Sequence, residues 1–92
     1  MTAFYKLQVI TPQGVLYQNE VIHTLIPAEN GFVGVLANHA PFITSCRGGR
    51  MDVREKNGEE KKFQIGPGFF EVIGNNATFL VQTFRSNEST AS

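Results

Sequence analysis

His39 and Cys46 are the only obvious base and nucleophile types in this sequence, joined by one other imidazole, His23. A cysteine nucleophile needs a base within hydrogen-bond reach and a third group to orient that base. No cysteine-hydrolase signature surrounds Cys46, whose neighbours are Ser45 and Arg47, so it reads as a strand-borne, buried thiol. His23 and His39, without clustered carboxylates or a second thiol, make a poor metal site. His39 stands just before Ala40-Pro41, where an imidazole hydrogen-bonds the backbone of its own turn or touches a partner. Gly66-Pro67-Gly68 is not a phosphate loop: no Lys-Ser or Lys-Thr follows, and Pro67 lacks the amide such a loop uses. Asn76-Ala77-Thr78 fits a glycosylation triplet, but no secretory signal accompanies it. These residues point away from catalysis, and neither a metal nor a cofactor is expected.

The rest of the composition favours contact over chemistry. Eight phenylalanines in 92 residues exceed what one thin sandwich needs, and Phe32, Phe42, Phe69 and Phe84 adjoin turns or chain ends. A contiguous exposed apolar patch marks an interface. Eight basic and eight acidic residues cancel, whereas phosphate neutralisation needs a positive excess, so nucleic acid is not an expected partner. The dense charged run 54–62 mixes both signs around Asn57-Gly58 and reads as a solvated hairpin tip. One cysteine permits no intramolecular disulfide, which suits a reducing compartment. No secretion signal or membrane-length apolar run is present, so the chain is expected to be soluble and cytosolic, without membrane insertion.

The elements that position these residues are strands. Tyr5, Leu7 and Val9 alternate with Lys6 and Gln8, the pattern of a half-buried strand. Thr11-Pro12-Gln13-Gly14 is a turn. Residues 21–26 are apolar on both sides and belong inside a sheet; 42–46 form another strand. Residues 51–56 and 61–65 flank Asn57-Gly58, a strong hairpin signal. A two-residue loop there would set Val53 opposite Lys62. An odd-length loop brings Met51 and Val53 to face odd-numbered partners, among them Phe63 and Ile65. A three-residue loop with Gly58 or a neighbour in a left-handed conformation is therefore expected. Residues 69–73 and 77–84 form a last pair around Gly74-Asn75-Asn76. The spacing predicts one all-β domain over 1–84, a flattened antiparallel sandwich or barrel. Residues 85–92 are small and polar and are expected to form a disordered tail.

The segment 25–44 carries the most information. Asn30-Gly31-Phe32-Val33-Gly34-Val35-Leu36 displays an apolar pair between glycines, and His39-Ala40-Pro41 follows. With the opening strand, the Thr11-Pro12-Gln13-Gly14 turn, Gly48-Gly49 and the closing Gly68-Phe69-Phe70-Glu71-Val72, this order resembles the epsilon subunit of F-type ATP synthases from about Phe4 to Phe84. The resemblance implies a flattened β-sandwich of about ten strands, in a central-stalk rotor subunit that performs no bond chemistry. It implies a contact with the membrane c-ring through Glu29, Asn30, Gly31, Phe32 and Val33. A second contact, with the gamma subunit, is implied at Thr11, His39, Phe42 and Thr44. It places the complex at the cytoplasmic side of a bacterial inner membrane, coupling proton transport to ATP synthesis.

Phe32 stands where some relatives present a carboxylate, and Ala37-Asn38 where many have Pro-Gly or Pro-Asn. Most relatives continue into a two-helix hairpin that brakes hydrolysis and in some binds ATP; with the sequence ending at Ser92, both functions are expected to be absent. The rival reading is a small-molecule or carbohydrate-binding β-sandwich, against which the lack of tryptophan counts.

Overall fold

The computed structural model describes residues 3–86. Among them are nine strands and no helix: β1 (Tyr5–Thr11), β2 (Gly14–Ala28), β3 (Gly31–Leu36), β4 (Phe42–Cys46), β5 (Gly49–Glu55), β6 (Glu60–Ile65), β7 (Gly68–Ile73), β8 (Asn76–Val81) and β9 (Phe84–Ser86). They form one sheet folded back on itself, in the order β1-β8-β7-β4-β2-β5-β6-β9, with β3 also on β2.

β2 is the strand on which the others are assembled. Its first half pairs with β1, from Thr11↔Gly14 to Tyr5↔Val21, across a bulge between Val9 and Ile10. Its second half carries β5 along one edge, His23↔Arg54 to Leu25↔Asp52, and β3 along the other, His23↔Leu36 to Ala28↔Gly31. β1 then pairs in parallel with β8, β8 with β7 and β7 with β4. β4 returns to β2 at Ala28↔Cys46, so the ladder closes. Closure leaves those strands without a free edge on that side.

The alternation read in β1 holds, with Tyr5, Leu7 and Val9 fully buried. They meet Val21, Ile26, Val35, Phe70 and Phe79 in one core, where Phe70 and Phe79 pack edge to face with ring centres 5.2 Å apart. The Tyr5 hydroxyl lies 3.0 Å from the Val35 carbonyl oxygen and 2.5 Å from Thr24 Oγ1. A hydroxyl has one proton and a carbonyl only accepts. Tyr5 therefore donates to Val35, and Thr24 donates to Tyr5. Burial pushes the Tyr5 phenol up to about 12, which keeps that donor protonated. A second aromatic group joins Tyr17, Phe63 and Phe84, with Phe63 and Phe84 ring centres 4.7 Å apart. Tyr17 donates to Glu55 Oε2 at 2.7 Å, and burial followed by the Glu55 carboxylate raises its phenol well above the ordinary value.

The β5–β6 hairpin has the expected odd parity: Met51 pairs with Phe63 and Val53 with Lys61. Glu55 N–H donates to Glu59 O and Gly58 N–H to Glu55 O, each at 2.8 Å, leaving a three-residue loop with Gly58 at φ 93°.

The end of the chain corrects one expectation. Residues 77–84 are not a single strand: β8 stops at Val81, and Phe84 begins β9 on the far edge of β6. The hydrogen bonds Gln82 N–H to Pro67 O and Gly66 N–H to Thr83 O carry the chain across. Phe84 leaves β7 because its ring packs against Phe63 and Tyr17. Arg85 and Ser86, expected in the tail, belong to β9, and residues 87–92 lie outside the described residues.

Two substitutions test this packing. Tyr5→Phe strips the Val35 carbonyl of its buried donor and is expected to cost about 1–3 kcal/mol in urea unfolding. Gly68→Ala would place a Cβ 1.9 Å from the Leu80 carbonyl oxygen, with backbone as the obstacle, and is expected to cost about 3 kcal/mol. Wild-type midpoints for either variant would contradict the geometry.

Candidate functional site

Cys46, the one thiol, is buried at the end of β4, and burial pushes it up to about 11. A thiol held there stays protonated at neutral pH and is a poor nucleophile. His39 Nδ1 lies 2.8 Å from the Ala40 carbonyl, so its ring serves its own turn and packs beside Phe42. No group of three metal-ligating side chains occurs among the described residues. What the fold builds instead is a set of surfaces.

Strand register separates two outward faces of opposite character. On β4, β7, β8 and β1, the alternation that buries Phe70, Val72, Phe79 and Val9 turns their neighbours outward. Ser45, Phe69, Leu80, Ile10 and Val15 then follow one another across five strands. The next row holds Ile43, Glu71, Thr78 and Gln8. Ile43 is 68% exposed, Phe69 58%, Ile73 52% and Leu80 50%. Several large apolar side chains in register on one face exceed the scattered exposure usual for a monomer.

The outward face of β5 and β6 is charged, with His23 and Leu25 of β2 beside it. It carries Arg50, Asp52 and Arg54 on β5, and Glu60 and Lys62 on β6. Arg50 Nε lies 3.1 Å from Asp52 Oδ1, and Arg54 pairs with Glu60, holding that exposed carboxyl below its ordinary value. Exposed pairs of this kind contribute little to stability. They do keep the face wet.

The β2–β3 hairpin turns at Glu29-Asn30, with Gly31 at φ 129°, a conformation that favours glycine. Its tip is tied down. Glu29 N–H donates to Ser45 O at 3.0 Å, Ser45 Oγ–H to Glu29 Oε1 at 3.1 Å, and Arg47 Nη1–H to Glu29 O at 3.2 Å. Beyond the tip Phe32 is exposed, while Val33 faces inward and packs against the core. Asn30 and Gly31 are exposed.

The residues expected at the second contact separate in the same way. Thr11 is buried in its turn, where its hydroxyl accepts from Gln13 N–H at 3.0 Å. Phe42 packs against the core, and Thr44 lies on the same inward side of β4, half-buried. The residue between them, Ile43, points out. Sequence reasoning singled out Phe69 but missed Ile43, Ile73 and Leu80 as surface residues, although strand alternation anchored on buried Cys46 places Ile43 outward. Asn38 and Asn75, at φ 66° and 62°, form a clasp. Asn38 N–H donates to Asn75 Oδ1 at 2.6 Å, and Asn75 Nδ2–H to Asn38 Oδ1 at 3.1 Å. That pair fixes the segment carrying His39 and Pro41 against the β7–β8 turn.

Residues 4–87 match the family described as the beta-sandwich domain of the ATP synthase delta/epsilon chain. An ATP synthase epsilon chain of Chlorobium limicola is 33% identical over 78 residues, covering 85% of this chain and 89% of that one. One from Syntrophomonas wolfei is also 33% identical, over 86% of this chain but only 58% of its own length. Among solved structures, a chain in the mitochondrial ATP synthase OSCP/F1/c-ring assembly of Euglena gracilis shares the fold, with a TM-score of 0.88 and 20% identity. It covers 99% of this chain and 58% of that one. The match along nearly all the described strands and two relatives above 30% identity agree: the chain belongs to the ATP synthase delta/epsilon-chain β-sandwich family.

Proposed function

We propose that this chain is a non-catalytic rotor subunit of an F-type ATP synthase, joining the gamma subunit to the c-ring at the cytoplasmic side of a bacterial membrane. One observation carries the reading: an apolar sheet face adjoins a braced, exposed hairpin tip. Ser45 ends the apolar row Phe69–Leu80–Ile10 and holds Glu29 at the tip. The broad face suits a large, continuous partner, and gamma is the partner assigned to it. The narrow tip with exposed Phe32 suits the polar loops of the ring.

The mechanism is adhesion. Torque passes only if the contacts do not slip, so interface area and stiffness replace catalytic groups as the functional quantities. Stiffness comes from the closed ladder, the Asn38–Asn75 clasp and the three hydrogen bonds at the tip. Among the described residues, Cys46 is buried and the His39 ring serves its own turn, which supports the non-catalytic reading.

The two contacts come apart experimentally. Phe32→Asp and Ile43→Asp both alter exposed side chains and are expected to leave unfolding free energy within about 0.5 kcal/mol of wild type. Phe32→Asp should bind gamma normally but lower ATP-driven ion pumping in reconstituted complexes, because a charge would be desolvated against the ring. Ile43→Asp should lose gamma affinity by at least about tenfold. Full pumping by the first variant would remove the tip from the ring contact. Undiminished gamma binding by the second would remove the face.

A further inference from the structure

Across β4, β7 and β8 the outward face holds one carboxylate among its apolar side chains. Glu71 on β7 stands directly across from Ile43 on β4 and Thr78 on β8, with exposed Phe69 and Ile73 on either side along its own strand. With Pro41, Phe42, Ile43 and Ile73 it lines a shallow groove whose other walls are apolar. Glu71 is itself exposed and has no hydrogen bond or ion pair to any described residue. Each of the other described acidic side chains has a partner within the chain, from Glu20 with Lys56 to Glu60 with Arg54. On β1, beyond β8, the cation Lys6 stands across from Asn76, two strands from Glu71 and in another row.

An unpaired carboxylate on a wet surface costs nothing. Under an apolar partner it loses its water, and the loss is heavily penalised unless a donor replaces it. A face that docks through Ile43, Ile73 and Phe69 must therefore meet a partner that answers Glu71.

We propose that Glu71 is the specificity-determining charge of this face. It accepts from a lysine or arginine of a gamma-subunit segment whose apolar side chains cover Ile43 and Ile73. This rests on the reading that the face docks gamma, and it adds the chemistry that selects and orients the docked segment. The apolar rows supply contact area but little register, since Ile43, Phe69 and Leu80 accept many apolar neighbours equally well. A single desolvated ion pair fixes one arrangement and penalises partners that lack the cation.

The test uses the full chain and the cognate F1 complex depleted of this subunit, with binding followed by surface plasmon resonance at low and high salt. Glu71→Gln, nearly isosteric and exposed, should melt like wild type, lose about tenfold or more in affinity and show a flattened salt dependence of association. Glu71→Lys should lose about another tenfold, and a compensating Lys→Glu or Arg→Glu change in gamma should restore it. Ile43→Asp serves as the control for the face. If Ile43→Asp abolishes binding while both Glu71 variants bind like wild type, the role of Glu71 is overturned and the face stands. If Ile43→Asp binds like wild type, the docking face falls, and the role of Glu71 with it.

Discussion

The fold depends on one strand meeting the needs of both halves of a single folded sheet. A β-strand has two edges and two faces, and β2 uses all four along its length from Gly14 to Ala28. Its first half is paired on one edge by β1 and its second half on both edges, by β3 and β5. The sequence meets this demand by changing character midway. Burial is sparse as far as Glu20 and becomes dense from Val21 through Ala28, where neighbours cover both sides. The buried chain from Thr24 through Tyr5 to Val35 ties β2, β1 and β3 together at that change, since Tyr5 pairs with Val21 while its hydroxyl reaches across. A polar bridge in a low-dielectric core specifies one arrangement of strands more strictly than apolar packing does.

Closing the ladder through β4 has a functional consequence. Once β1, β8, β7 and β4 return to β2, their outward side chains form a continuous surface in fixed register rather than the rim of an open sheet. Phe69, Leu80 and Ile10 follow one another because their strands are hydrogen-bonded neighbours, and they cannot shift independently. The charged face of β5 and β6 is equally fixed, with Arg50 paired to Asp52 and Arg54 to Glu60. The domain thus presents one side that gains by being covered and one already satisfied by water. That asymmetry matches a part wedged between larger partners and held without slip.

Much of the architecture was legible wherever a local rule sufficed. Period-two alternation identified the inward face of β1, and residue parity across Asn57-Gly58 required the observed three-residue loop with Gly58 left-handed. The division between β8 and β9 was not legible, because Phe79, Leu80, Val81 and Phe84 read as one apolar run. Only the rings of Phe63 and Tyr17, distant in sequence, draw Phe84 onto β6. The contact surface was partly legible. Exposure of Phe32 and the turn role of His39 followed from glycine and proline placement. Val33, Phe42 and Thr44 were expected at contacts, yet each sits on the inward side of a strand. Strand parity anchored on buried Cys46 would have moved the expectation from Phe42 to Ile43. The patch across β7, β8 and β1 needed the parallel β1–β8 pairing, a long-range contact that no local pattern encodes.

The central claim is that the apolar sheet face is the covered one and the charged face stays open to solvent. Hydroxyl-radical footprinting of the free chain and of the chain assembled in its F1 complex, read by mass spectrometry, measures this side chain by side chain. The account predicts strong protection of Ile43, Phe69, Ile73 and Leu80 on assembly, with labelling of Arg54 and Lys62 unchanged. Protection of Arg54 and Lys62, with Phe69 and Leu80 labelled as in the free chain, would contradict it.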